Sequence, residues 1–264
     1  MKALIELLRL PEVEQLDLDG SDRLAVHRRI LAGKRLLREV FAEFHALFDT
    51  LDRTLLTAAG TRVELGAGIA PMRDSFPDVL ATDVVAGPGL DRVLNAEQMD
   101  FEPGTVRVFF AQNCFHHFPH PDRFFAELER VLPTGGGAIL LEPYHGPFAA
   151  FLFRRLFTSE GYDKQYPSWE TPVSGPMRGA NQALSYLVFV RDRGLFENRY
   201  PGLRIVHQAP CGNYLKYLLS GGLNFRQLLP DQASPLLGAL QWLLTPLLRL
   251  LALHHVVVLR KEAP

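Results

Sequence analysis

From Thr61 onward the chain alternates short, nearly continuous apolar runs with stretches whose apolar residues recur every three or four positions. Runs apolar on both faces are typical of strands in a covered parallel sheet, and the helical spacing between them supplies the crossovers. The runs predict seven strands: Arg62–Leu65, Val79–Thr82, Arg92–Leu94, Thr105–Ala111, Ala138–Glu142, Leu203–Gln208 and His254–Arg260. Helices are predicted at Pro71–Ser75, at Pro121–Val131 and within Phe148–Leu156. Upstream, Leu24, Ile30, Leu31, Leu37, Val40, Phe41, Phe44 and Phe48 form a helical stripe. They predict one long helix from Arg23 to Leu47, capped by Ser21 or Asp22.

Two stretches interrupt this alternation. Residues 146–200 separate the fifth and sixth strands, and Cys211–Leu253 separates the sixth and seventh. Connections that long carry structure of their own or serve a function. In the second, Leu236, Leu240, Leu243, Leu247 and Leu250 or Leu251 recur at helical spacing, with Leu237, Leu244 and Leu248 widening the face. Such a helix is usually core. The competing expectation is that it walls an apolar pocket together with Phe148, Phe151, Phe153 and Phe157, or touches a membrane surface. Gln241, Pro246 and Arg249 break the run, which argues against a spanning helix of about 20 apolar residues.

At 264 residues the chain is long enough for one elaborated domain with a large core. A net charge of -1 without a basic stripe gives no electrostatic case for nucleic acid. Cys114 and Cys211 form no disulfide framework or metal-site spacing and point to a reducing, cytoplasmic setting. Glu6 and Arg9 interrupt the first apolar run, and no small-residue cleavage site follows, so no signal peptide is expected.

The chemistry centres on Arg62-Val-Glu-Leu-Gly-Ala-Gly-Ile-Ala-Pro71. Gly66 and Gly68 turn the chain after the first strand, and the helix expected from Ile69 offers unpaired N–H groups beside them. Asp83 ends the second strand, seventeen residues after Gly66. In doubly wound folds an acid about 20 residues beyond the glycines takes the ribose hydroxyls. On the glycines alone, a dinucleotide and its nicotinamide-dependent oxidoreductase remain open.

Five motifs in order narrow that choice: Glu64-Leu65-Gly66-Ala67-Gly68; Asp83; Asn95-Ala96-Glu97 before Phe101; Asn113-Cys114-Phe115-His116-His117; and Arg130-Val131-Leu132-Pro133-Thr134-Gly135-Gly136. With them the chain resembles the class I S-adenosylmethionine-dependent methyltransferases, in particular the small-molecule type 11 branch, over roughly Thr61 to Tyr144. The resemblance implies a doubly wound, seven-stranded, mostly parallel Rossmann-like sheet with an N-terminal helical segment and two inserted caps. It divides the chain into a helical lid at 1–57, a cofactor-binding core at 58–145, an acceptor cap at 146–200, and the last two strands with a leucine-rich insertion at 201–264. It assigns S-adenosylmethionine, leaving as S-adenosylhomocysteine, to Glu64, Gly66, Ala67, Gly68, Asp83, Val84, Asn95, Ala96, Glu97, Asn113 and Cys114. Two departures stand out: Ala70 where relatives have a third glycine, and Arg107 where they usually have an aspartate.

The candidate catalytic groups lie at the carboxyl edge of the sheet: His116 as a pocket-facing base, with Tyr144 and His145 on the same rim, and His117 as a structural neighbour. Asn181, Gln182, Tyr214 and the Ser220-Gly221-Gly222 turn are secondary candidates, as is Arg178. No metal is expected. The expected reaction is methyl transfer to a small or medium, lipophilic acceptor, with oxygen favoured. A non-catalytic methyltransferase-like subunit is the other alternative, and the sequence leaves the oligomeric state open.

Overall fold

Seven strands form one sheet: β1 (Thr61–Leu65), β2 (Val79–Asp83), β3 (Arg92–Val93), β4 (Val106–Gln112), β5 (Gly137–Pro143), β6 (Leu203–Pro210) and β7 (His254–Lys261). Their order is β3-β2-β1-β4-β5-β7-β6, with β7 antiparallel to both neighbours and the other pairs parallel. This computed structural model describes residues 6–263 except 15, 18, 21, 70, 159, 174, 176 and 178. Ser21, Ala70 and Arg178 therefore lie outside the described residues. Each predicted strand is present, within two residues at either end.

The helices are α1 (Pro11–Glu14), α2 (Arg23–Ala32), α3 (Arg35–Leu55), α4 (Pro121–Val131), α5 (Pro147–Arg155), α6 (Leu184–Tyr186), α7 (Arg193–Arg199), α8 (Tyr214–Ser220), α9 (Ser234–Leu243) and α10 (Leu248–Leu251). Side chains alternate between two layers along the central strands. Phe109, Ala111, Ala138, Leu140, Val257 and Leu259 face an aromatic cluster containing Phe115, Phe124, Phe125, Phe189 and Phe196. Val108, Phe110, Ile139, Leu141, Val256 and Val258 face α3, where Phe48 stacks on Phe110 at 5.5 Å. Full burial of a side chain of this size stabilises by about 1.5–3 kcal/mol, so covering both faces makes this sheet the stable core.

Two helix expectations are corrected. The predicted Arg23–Leu47 helix is two helices, broken at Gly33 and at Lys34, which is extended (φ -120°, ψ 94°). The buried Lys34 ammonium donates to the carbonyls of Gly222, at 2.6 Å, and Phe225. That long-range anchor holds the break. The predicted Pro71–Ser75 helix is one 3-10 turn, Met72–Asp74. Pro77 follows closely and disfavours a helical Phe76, so the short link to β2 cannot wind further.

Arg107 has a structural role. Its Nε donates to Asp52 Oδ1 at 2.8 Å, and its guanidinium also reaches the carbonyls of Ala58 and Leu56. Arg62 Nε lies 3.0 Å from the other oxygen of Asp52. The end of α3 is thereby tied to β1 and β4, at the sheet edge away from the glycine turn.

The leucine-rich insertion has the opposite polarity to its expected core face. Leu237, 2% exposed, is buried, and Leu244, Leu248 and Leu251 pack against Tyr144, Tyr214 and Leu253. The stripe at Leu236, Leu240, Leu243, Leu247 and Leu250 is exposed, as is Trp242 at 80%. Among the described residues no single helix is long and apolar enough to cross a membrane.

Candidate active site

A cavity of about 540 Å³ opens at the carboxyl ends of β1, β2 and β4. Glu64, Gly66, Ala67, Gly68, Asp83, Val84, Asn95, Ala96, Glu97, Asn113 and Cys114 all line it. Tertiary structure therefore gathers the whole predicted cofactor set around one space. Arg23 and His27 of α2 and Leu37 and Phe41 of α3 close it on the N-terminal side.

The glycine turn is built for a close approach. Gly66 and Gly68 have φ of +65° and +53°, and a Cβ on Gly66 would sit 2.5 Å from Cys114 Sγ. Asp83 spans the turn: Oδ2 accepts the Gly68 N–H at 3.1 Å and Oδ1 the Val85 N–H at 3.0 Å. Glu64 Oε2 accepts the Met72 N–H at 2.6 Å, and burial pushes its carboxyl up to about 8. Arginine does approach the turn, since Arg28 Nη2 donates to the Gly68 carbonyl at 3.3 Å.

Two of the predicted cofactor residues, Asn95 and Glu97, are also bonded within the protein. Asn95 Oδ1 accepts the Glu97 N–H at 2.9 Å in a local turn, so that amide is already engaged. Glu97 Oε1 accepts the His120 N–H at 2.6 Å. Ala96 lies between Asn95 and Glu97 on the same cavity wall. At the other end, Asn113 adopts a positive φ of 49°, and its buried Oδ1 has no partner, nor has Gln112 Oε1. Both residues line the cavity, and acceptors without a protein partner suit the cationic amino group of a methionine tail. The glycine cradle, the Asp83 carboxylate and the exposed Val84 side chain suit a nucleoside. The donor set therefore fits S-adenosylmethionine.

His116 is not a free base. Glu142, at the end of β5, accepts the N–H groups of Cys114, Phe115 and His116 at 3.0, 2.9 and 3.3 Å. The same carboxylate lies 2.6 Å from His116 Nδ1, and Glu160 Oε2 lies 3.1 Å from Nε2. Burial works to strip the ring's proton, but Glu142 and Glu160 outweigh it and raise His116 to about 10. Burial works to raise Glu160 too, yet His116 holds that carboxyl below its ordinary value. His117, expected to be structural, also lines the cavity; burial and then His116 push it down to about 3.

Tyr144 and His145 are not on the cavity wall. They lie just past β5, where the Tyr144 N–H bonds the Leu253 carbonyl at 2.7 Å and carries the chain along β7. Their rings pack with His255, and His145 with Tyr186, away from the glycine turn. Burial and then Lys164 lower His145 to about 4. Of the secondary candidates, Gln182, Gly221 and Gly222 line the cavity, whereas Tyr214 is core and Tyr217 lines the cavity in its place. Phe153 and Phe157 line it too; Phe148 packs against the cluster of Tyr144, Tyr214 and Leu253, Phe151 is exposed, and none of the leucines from Leu236 to Leu251 is part of the wall. Sequence reasoning missed Glu142 and Glu160 as site residues. Glu142 had a signal, being an acid at a strand's carboxyl end.

Residues 73–140 match the family model Methyltransf_11, a methyltransferase domain. The chain is 29% identical over 217 residues to phthiotriol/phenolphthiotriol dimycocerosates methyltransferase 1 of Mycobacterium ulcerans (strain Agy99), covering 77% of this chain and 69% of the relative. Among solved structures it is similar to phosphoethanolamine N-methyltransferase 2 of Haemonchus contortus with S-adenosyl-L-methionine. That match has 14% identity and a TM-score of 0.48, and spans 93% of this chain and 59% of the nematode enzyme. It is also similar to geranyl diphosphate C-methyltransferase of Streptomyces coelicolor A3(2), at 13% identity and a TM-score of 0.43, over 94% and 86% of the two chains. The strand order, rather than these distant likenesses, defines the fold.

Proposed function

We propose that this class I S-adenosylmethionine-dependent methyltransferase methylates an oxygen of a lipophilic acceptor taken from a lipid surface. The observation that carries the reading is the cavity, which continues from the polar cradle of Glu64, Asp83 and Asn113 into an apolar region. Phe41, Phe153, Phe157, Val173, Met177 and Leu223 line that second region. Burial of apolar surface is worth about 25 cal/mol per Å², so such a wall holds a greasy acceptor with few polar contacts. The curated relative is named for dimycocerosates, which supports a lipid-related acceptor here.

Bound S-adenosylmethionine supplies an electrophilic methyl carbon. In this reading the protein supplies alignment and proton handling. Glu64 and Asn113 hold the methionine end, Asp83 the ribose, and Val84 with the Ala96 amide the base. Glu160, kept ionised by His116, accepts the hydrogen bond of the acceptor hydroxyl, and Glu142 locks the ring that steadies it. Tyr144 and His145 take no part. The exposed stripe from Leu236 to Leu250, with Trp242 and Arg249, is proposed as the lipid-facing surface, apolar with a wet basic edge.

The reading is tested by incubating the protein with methyl-labelled S-adenosylmethionine and fractionated lipid extracts. Label is expected in a lipid fraction, on an alkali-stable ether oxygen. Label confined to polar fractions, or transfer to nitrogen or carbon, would overturn the acceptor assignment. Binding of NAD in place of S-adenosylmethionine would favour an oxidoreductase, but both the family match and the curated relative are methyltransferases.

A further inference from the structure

His116, His117 and Glu160 each offer one potential ligand atom, and these atoms lie within 4.8 Å of one another. All three residues line the cavity. The His116 and His117 rings are 4.3 Å apart between centroids and inclined by 38°, and both present Nε2 to the Glu160 carboxylate. His116 Nε2 to Glu160 Oε2 is 3.1 Å; His117 Nε2 to Glu160 Oε1 is 3.8 Å, too long for a hydrogen bond.

We propose that these three side chains form a divalent-cation site of the zinc or cobalt type, whose ion holds the acceptor oxygen. The proposal rests on the oxygen-acceptor reading above. Ligand atoms bound at about 2.1 Å to one ion lie about 3.0–3.5 Å apart. The observed spacings reach that range with small side-chain rotations. Two imidazoles and one carboxylate suit zinc and its first-row neighbours better than magnesium or calcium, which take all-oxygen sets.

Glu142 is the independent observation. A ligating histidine almost always donates its other ring N–H to a carboxylate or carbonyl, which sets the tautomer and aims the free nitrogen. Fully buried Glu142 does this for His116 Nδ1 and is itself fixed by three backbone N–H groups. Charge agrees as well. The two carboxylates, Glu142 and Glu160, balance a doubly charged ion when both histidines are neutral.

Three protein ligands leave a coordination position open, and here it faces the cavity. An acceptor hydroxyl bound there becomes more acidic. It releases its proton to solvent and keeps the electron pair on oxygen, ready to attack.

The test uses metal-stripped full-length protein titrated with Co²⁺ and then Zn²⁺. The expected result is visible ligand-field absorption at one equivalent of Co²⁺, displaced by Zn²⁺. Glu160→Gln and His117→Ala should each weaken Zn²⁺ binding at least tenfold, and Glu142→Gln by about 10–100-fold. Melting curves of the stripped variants identify those that fold, and only these are scored. Cys114→Ser should leave metal affinity unchanged. Absence of Co²⁺ absorption in the parent protein, undiminished binding in folded Glu160→Gln or His117→Ala, or loss of binding with Cys114→Ser would each overturn the site. Binding of S-adenosylmethionine to the stripped protein is read separately. Its failure would sink the methyltransferase reading whatever Co²⁺ does.

Discussion

Glu142 and His116 are locked together: the carboxylate lies 2.6 Å from the ring's Nδ1 and also accepts the His116 backbone N–H at 3.3 Å. One buried side chain thus shapes the turn after β4 and aims the imidazole into the cavity. Breaking a buried pair by removing one partner leaves an uncompensated group. Glu142→Ala should therefore destabilise the protein by about 3–5 kcal/mol, measured by urea denaturation. Glu142→Gln, which keeps the shape and one acceptor, should lose clearly less. Equal losses would mean that volume, not the pairing, holds the turn.

The cofactor cradle predicts two binding defects. Asp83→Ala should weaken S-adenosylmethionine binding by about 1.5–3 kcal/mol, the range for hydrogen bonds to a charged group. Gly68→Val should weaken it further, because φ of +53° disfavours any side chain and the new one enters the ligand's space. Calorimetry giving parental affinity for both would remove the cofactor from this turn.

Cofactor binding should also depend on pH through Glu64. Burial raises its carboxyl to about 8, so near neutrality it is largely protonated. A cationic ligand favours the ionised form, so binding should release a proton and tighten from about pH 6 to about pH 7.5. Calorimetry in buffers of different ionisation enthalpy measures that proton. Glu64→Gln should abolish the release.

Acid should destabilise the fold through His254 and His255. Burial, then His116 for the first and His145 for the second, pushes both rings from 6.5 down to about 3. The unfolded chain therefore binds more protons in that interval. Their contribution is fully present above about pH 6.5 and is lost as pH falls toward about 3, at up to roughly 1.4 kcal/mol per pH unit for each ring. Replacing both with asparagine should flatten the acid limb of melting temperature against pH, even if the plateau drops. An unchanged acid slope would place the sensitivity elsewhere.

The insertion offers a contrast between two adjacent leucines. Leu236 is 61% exposed and Leu237 2% exposed. Leu237→Ser should cost several kcal/mol of stability, as core truncations do. Leu236→Ser, Leu243→Ser and Trp242→Ser should each stay within about 0.5 kcal/mol while reducing liposome flotation. Unchanged flotation in all three would remove the lipid-facing role.

The strands and the glycine turn were legible because their causes are local. β4, β5 and β7 are covered on both faces, so they appear in sequence as nearly continuous apolar runs. The Gly66–Gly68 turn is legible because a close backbone approach demands residues without Cβ. The residues proposed for the cofactor, from Glu64 to Cys114, share one cavity because parallel crossovers bring the strand ends to one edge.

What the sequence could not decide depends on partners distant along the chain. His116 meets Glu160 across 44 residues, through an inserted segment whose path has no local signal. Lys34 breaks a helix by bonding carbonyls 188 and 191 residues away. Tyr144 and His145 sit beside the site in sequence yet face another layer, because pairing with β7 begins where β5 ends. In the insertion, helical periodicity announced an apolar face, but leucines surround the helix, and only packing decided which of them met the core. Local patterns determine which elements form and which edge carries the cavity; side-chain charge states and the facing of all-apolar helices are set by what the tertiary fold places beside them.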